Sequence, residues 1–365
     1  MAYDGWQYGS RVDQTTERKL YGKFVDSILN SRTLFARFAA RGTPLLGKTF
    51  DINHKVSRTS QGQFFTGLEN LNSAAWNTKI TTSFGQTNYS HPIPSILTEA
   101  IANAGSTGTI DIDVANFEEA KMEVVQDFGN YIYAGNSSYG LLGLENIVDD
   151  GTNTGTIGGS SRTTYPQLNA YVLAFSGGTM TLARVASVFD GASAAGISSE
   201  EPGLGVTTKT VWGLFEQLIA PQMRNNYKVL PVMSSSTDVV DRQNISGTVG
   251  FSCVYFRGVP IIKDDACTSG VLYFLNEDQI EWKGRTIVPD EYKDVLKKVD
   301  LGTPKTFEGT GASKENMPSQ FNGFFYTPSM LLPTQAGKIA RLYVFGQLVP
   351  RSFRRHGKGT GITTV

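Results

Sequence analysis

An α+β fold is predicted by three patterns in this sequence. Residues 48–57 and 76–84 alternate with period two. One stretch from Phe117 to Ile132 repeats its apolar residues at helical spacing, and the second half mixes short helical stripes with strand-like runs.

The alternation is the sharpest signal. Phe50, Ile52, His54 and Val56 point one way while Thr49, Asp51, Asn53, Lys55 and Ser57 point the other. After a Gly/Gln/Asn-rich tip, Trp76, Thr78, Ile80, Thr82 and Phe84 share one face, and Asn77, Lys79, Thr81 and Ser83 the other. This predicts an extended two-stranded ribbon. A lone hairpin is marginal in water, so the ribbon needs a surface to lie on. A second copy of the chain is the natural candidate, which points to an assembly protein. Phe50, Ile52, Val56, Trp76, Ile80 and Phe84 are therefore expected to pack on adjacent subunits.

The other elements follow in order. Leu20, Phe24, Ile28, Leu34, Phe35 and Phe38 recur at helical spacing and predict a helical arm over 14–41, ended by Gly42 and Pro44. The ribbon closes at His91-Pro-Ile-Pro94. A long helix comes next. Asn116 is its expected N-cap, with Glu119 three residues on in a capping-box arrangement. Phe117, Ala120, Val124, Phe128, Tyr131 and Ile132 form its apolar stripe and Gly135 its stop. A low-complexity Gly/Thr/Asn/Ser loop spans 150–163. Beyond 178, helices near 179–189 and 208–220 alternate with strands at 227–233, 249–256, 259–263 and 271–275, which reads as a compact α/β unit. Strands return at 321–332 and 338–349, the last expected to pair with sheet elements around the long helix.

Composition narrows the class. Of 365 residues, 40% are apolar and only 18% charged, and 39 are glycine; the charged share is below the usual ~25%. Such a chain suits a loop-rich protein whose surfaces are covered by neighbours. Net charge is formally zero but uneven. The first 48 residues hold eight basic against four acidic side chains, and the last 28 hold six basic and none acidic. Basic ends on an acidic body suggest tails that dock on neighbours, with Arg11, Arg18, Arg354 and Arg355 as contact candidates. Neither end has the dense basic run interleaved with aromatics that marks a nucleic-acid segment. Cys253 and Cys267 form neither a metal spacing nor a disulfide framework and read as small buried residues in strands. The N-terminus lacks a basic-then-apolar leader. No run approaches the roughly 18 apolar residues of a membrane helix. Synthesis and assembly in the cytoplasm, with no membrane partner, are expected.

One motif argues for something else. Gly42-Thr-Pro-Leu-Leu-Gly47-Lys48-Thr49 matches the phosphate-loop pattern GxxxxGKT. That chemistry needs a buried strand before the loop and a helix after it, with the helix N-terminus facing the phosphates. Here a helix-like run with two arginines, Phe35 to Arg41, comes first and a strand follows. The motif is read as a turn that opens the ribbon, and a P-loop nucleotidase as the rival from another class. The three histidines, His54, His91 and His356, have no metal-type partners at short spacing, and no GxSxG elbow occurs. The pairs Glu118-Glu119, Glu200-Glu201 and Asp264-Asp265 read as solvated or interfacial charge. No catalytic, cofactor or metal site is expected.

The order of parts resembles one family, the major capsid proteins of tailed bacteriophages with the Hong Kong 97-type fold. The stretches that carry the resemblance are Gly140-Leu-Leu-Gly-Leu-Glu-Asn-Ile147, Thr156-Ile-Gly-Gly-Ser-Ser-Arg162 with Tyr165-Pro166, Gly258-Val-Pro-Ile-Ile-Lys-Asp-Asp265, Gly270-Val-Leu-Tyr-Phe-Leu-Asn276 and Phe345-Gly-Gln-Leu-Val349. The resemblance implies an N-terminal arm (1–46), an extended loop (47–93), a peripheral domain (94–169) with a spine helix at 116–134, an axial domain (170–320), and C-terminal strands (321–365) returning to the peripheral domain. It also implies a structural, non-enzymatic subunit that self-assembles as pentamers and hexamers into an icosahedral head around double-stranded DNA. Partners would be separate scaffolding and portal proteins and decoration proteins, with non-specific contact to the DNA. An encapsulin-like compartment shell is the alternative that shares the fold. Some relatives carry a charged helical scaffolding segment before the arm; here the arm begins almost at Met1, so that role is expected of a separate protein or of a removed segment.

Overall fold

The computed structural model describes residues 33–57, 62–67, 78–102, 112–193, 200–223, 254–286, 290–292, 295–298, 323–331 and 337–365. Helices and strands are numbered in chain order over these residues.

Two six-stranded sheets organise the chain. The first contains β1 (Thr43–Leu45), β12 (Ile280–Arg285), β15 (Gly337–Pro350), β14 (Phe324–Leu331) and β13 (Lys297–Lys298) in that order, with β4 (Thr87–Ile96) also on β15. β15 is the shared rail. Its first ten residues pair with β4, Gly337 opposite Ile96 through Gly346 opposite Thr87, and its last five pair with β12. The alternation of β15 sorts its side chains: Ala340, Leu342 and Val344 are buried in the main core, while the intervening residues take the other face.

The second sheet runs β7 (Tyr171–Ala174), β16 (Gly357–Thr360), β11 (Leu272–Leu275), β8 (Leu204–Thr207), β10 (Val259–Lys263) and β9 (Val254–Phe256). It is covered on both faces, which explains why β11 reads as an unbroken apolar run rather than an alternation. Tyr273 and Leu275 enter one core, and Leu272 and Phe274 the other. Helices α5 (Leu182–Ala192) and α6 (Lys209–Met223) close the second core through Val185, Val188, Phe189, Val211 and Phe215.

The long helix α3 (Ile112–Ala134) lies against the first sheet, burying Ala120, Val124, Phe128 and Ile132 as its stripe predicts. Phe128 joins Phe35, Trp282 and Phe324 in an aromatic cluster with ring centroids 5.8–6.4 Å apart. The helix begins at Ile112, so Asn116 lies inside it and is not its cap. A cap contributes only about 1 kcal/mol, and Asn costs little within a helix, so packing outweighs the local signal. Short helices α2 (Leu97–Ala102) and α4 (Leu144–Ile147) complete this side.

Several segments lie elsewhere than the sequence suggests. The described part of the expected arm is helix α1 (Thr33–Ala40), whose Leu34, Phe35 and Phe38 are buried in the main core. Its Arg37 guanidinium donates to both carboxylate oxygens of Glu277 at 2.7 and 2.6 Å, and the Leu34 amide donates to Asp264. Residues 33–45 are thus part of the body, because three large apolar side chains at helical spacing are buried as readily by their own subunit as by another. β12, from the stretch expected in the axial domain, belongs to the first sheet. β16, expected to return to the peripheral domain, belongs to the second. Its glycines permit that insertion: a Cβ on Gly359 would stand 2.4 Å from the Phe175 ring. Cys267 is buried in the turn between β10 and β11 rather than in a strand. The strand expected at 227–233 and Cys253 fall outside the described residues, as does most of the helix expected over 14–41.

Candidate assembly surfaces

The ribbon consists of β2 (Thr49–Lys55) and β3 (Lys79–Gly85), paired antiparallel with Phe50 opposite Phe84, Ile52 opposite Thr82 and His54 opposite Ile80. Its alternation is as the sequence reads: Asp51, Asn53, Lys55, Lys79, Thr81 and Ser83 are exposed. The other face, however, lies on its own subunit. Phe84 and Thr82 are buried, Val56 is nearly so, and Phe50, Ile52 and Ile80 pack half-buried against the main core. The expectation that these five apolar residues pack on adjacent copies is therefore corrected for Phe84 and Val56, and Phe50, Ile52 and Ile80 are already half covered. Period two identifies a face that is buried; it does not say which chain buries it. Trp76 lies outside the described residues.

A shelf supports this base. The small hairpin β5 (Thr156–Ile157) and β6 (Ser160–Ser161) meets β3 where the Ser83 amide donates to the Gly158 carbonyl at 3.0 Å. Gly158 has φ +55°, and a Cβ there would come within 2.7 Å of Thr82, so the close approach needs glycine. His54 Nε2 sits 2.9 Å from the Thr82 hydroxyl, and its ring rests on Phe353 with centroids 5.6 Å apart. Burial pushes the His54 imidazole below its ordinary value.

The shelf is itself anchored by a buried polar hub that sequence reasoning missed. Arg162 and Asp149 are both fully enclosed and paired at 3.2 Å. Arg162 also donates to the Asn146 and Ile147 carbonyls, at 2.9 and 3.0 Å. Asp149 accepts from the amides of Gly151, Asn153 and Thr154. Lys358 of β16 approaches Asp149 at 3.7 Å, joining the shelf to the second sheet. The signal available was Asp149-Asp150-Gly151 opening a low-complexity loop that ends in Arg162, which marks an ordered loop rather than a linker.

The basic ends are only partly as expected. Arg354 is exposed. Arg355 is half-buried and ion-paired with Glu200 of the same subunit, so it is not a free contact. The C-terminus is not a projecting tail, since β16 is bonded on both sides and His356 is fully buried. Arg11 and Arg18 lie outside the described residues.

Among the described residues, two groups of exposed apolar side chains stand out from others scattered along the chain. One is the ribbon tip, where Phe64 is fully exposed and Phe65 is 60% exposed. The other is the end of the first sheet, with Ile96, Leu97, Ile101, Met330 and Leu331.

In the phosphate-loop look-alike, α1 precedes Gly42, β1 pairs with β12, and β2 begins at Thr49, the reverse of the order that phosphate binding requires. Lys48 is exposed. Burial pushes the Cys267 thiol, Tyr133 and Tyr273 well above their ordinary values, which keeps them protonated. Among the described residues no group of three His, Cys, Asp or Glu side chains is placed to hold a metal, and no helix is long and apolar enough to cross a membrane.

No protein-family pattern matches the sequence, and no curated protein matches it. Solved structures do match in shape. The capsid asymmetric unit of cyanophage A-1(L) superposes with a TM-score of 0.69 at 16% identity, over 96% of this chain and 98% of that one. This chain has a capsid-subunit fold. The architecture is the Hong Kong 97-type fold expected from the order of parts. Two further likenesses span nearly both chains. The capsid of a native GTA particle has a TM-score of 0.58 at 8% identity, covering 96% of each chain. The SrpI encapsulin of Synechococcus elongatus has a TM-score of 0.56 at 12% identity, covering 97% of this chain and 95% of that one.

Proposed function

We propose that this chain is the major capsid subunit of an icosahedral phage head, a structural protein that self-assembles as pentamers and hexamers and encloses double-stranded DNA. One observation carries the reading: the cyanophage capsid unit is matched almost end to end on both sides, so neither chain has a large part without a counterpart. The two apolar ends left open on the subunit support it, because a soluble monomer seldom leaves such groups uncovered. The role is mechanical, and the buried hub and the seated ribbon base serve it by giving a rigid tile. Scaffolding, portal and decoration proteins act as separate partners, and assembly takes place in the host cytoplasm.

The encapsulin likeness favours a second reading, a shell around protein cargo. The contents separate the two. Purified particles treated with nuclease and then opened should release protected double-stranded DNA of uniform length. Particles that hold a defined protein and no protected DNA would replace the first reading with the second.

A further inference from the structure

We propose that the knob formed by residues 137–140, at the C-terminal end of α3, is a contact surface between copies, with the Tyr139 ring as its anchor in an apolar pocket of a neighbouring copy. The inference rests on the shell reading above and assigns one contact to it.

Glycine ends α3 and shapes the loop that follows. Gly135 and Gly140 take φ +69° and +75°, a conformation that favours glycine. Asn136 and Leu141 close the loop between them: each amide donates to the other's carbonyl, at 2.7 and 2.9 Å. Inside it the Tyr139 amide donates to the Asn136 carbonyl and the Gly140 amide to the Ser137 carbonyl, both at 3.3 Å. From below, the buried Gln347 of β15 gives both ends of its amide group to the loop. Its Nε2 donates to the Gly140 carbonyl at 2.6 Å, and its Oε1 accepts from the Leu142 amide at 3.1 Å. Gly143 lies so close to the end of α3 that a Cβ there would stand 2.2 Å from the Gly135 nitrogen. A surface loop ordered by this many bonds has little entropy left to lose on association.

What the knob presents decides its partner. Residues 137–140 are exposed, 136–143 carry no charge, and Tyr139 is 76% exposed. The knob has no Lys or Arg to neutralise DNA phosphates. It offers instead a ring with few rotatable bonds and a polar edge, the kind of side chain that anchors protein interfaces. The matching site is an apolar pocket with an oxygen placed to accept from the tyrosine hydroxyl. Size picks out a second copy as the occupant. One buried tyrosine covers about 150–250 Å², far below the ~1,200 Å² at which single interfaces become stable. That contact alone does not hold a separate protein. In a closed shell every copy both offers the knob and receives one, so small contacts accumulate over the assembly.

A photoreactive side chain tests the contact directly. Tyr139→benzoylphenylalanine is made in the full chain, assembled particles and dispersed subunits are irradiated, and the joined peptides are identified by mass spectrometry. Particles should yield covalent dimers linking position 139 to an apolar segment of another copy, at least tenfold more than dispersed subunits at the same chain concentration. Particles without such dimers, or joined at 139 only to a different protein, overturn the contact while leaving the shell reading intact. Absence of particles from the unaltered chain takes down both. A second variant decides the matter where the bulky group itself blocks assembly. Tyr139→Asp should cut particle yield about tenfold with the unassembled subunit's urea midpoint unchanged. An unchanged yield, or a yield lost only together with the midpoint, overturns the proposal.

Discussion

The base and the tip of the ribbon obey the same sequence rules and meet opposite fates. At the base, Phe84 keeps 3% of its surface and Thr82 none, both covered by the subunit's own shelf and core; at the tip, Phe64 is wholly exposed. The difference teaches that the ribbon has a fixed fulcrum at its base. The entropy of ordering that base is met within one subunit and not at the moment of association. A ribbon loose along its whole length would be a poorer building device.

That contrast can be broken at the fulcrum first. Replacing Arg162 with Ala leaves Asp149 buried without its main partner, a change that costs about 3–5 kcal/mol. The shelf carrying Gly158 should loosen with it, read as a large fall in the urea midpoint of the unassembled subunit. Phe84→Ala at the base should cost a similar 3–5 kcal/mol, the usual range for deleting a buried aromatic ring, whereas a loss under 1 kcal/mol would mean that the base is not seated. Gly158→Ala places a methyl against Thr82 in a backbone conformation that disfavours it; the expected loss is about 1–3 kcal/mol, with the Ser83 amide exchanging faster with solvent.

Acid acts on the body and base but not on the tip. Burial pushes His356 down to about 3, with the charge of Arg355 adding to the effect, and lowers His54 as well. The unfolded chain binds these protons near the ordinary pKa of about 6.5, while the folded chain resists them. Stability is therefore full at neutral pH and falls as pH drops below that value, by at most about 1.4 kcal/mol per pH unit for each proton. Unfolding midpoints measured across this range should show the slope, and His356→Phe should flatten it. The smallest expected effect sharpens the contrast most. Phe64→Ser at the tip should change subunit stability by less than about 0.5 kcal/mol, because its side chain is fully exposed.

Much of this fold is legible in the sequence. The stripe of α3, the alternation of β2 and β3, and the apolar runs of β10, β11, β14 and β15 each carry a period that burial enforces. Other parts lack such a signal. β16 is Gly357-Lys-Gly-Thr360, whose glycines hide a strand that enters the second sheet edge-on to Phe175. The hub brings Lys358 to Asp149 from the far end of the chain, a pairing that local spacing cannot reveal. The ribbon shows the general limit: its pattern predicts the buried face correctly and assigns the wrong owner to the surface covering Phe84 and Val56. At the tip, two phenylalanines in a Gly/Gln/Asn-rich turn have no period to read.

Electron cryomicroscopy of the purified full chain after assembly tests the central claim most directly. The account predicts closed shells of repeating subunits, each ribbon base on its own body. A chain that stays dispersed as single subunits at every concentration, or shells in which Phe84 lies on a neighbouring copy, contradicts it.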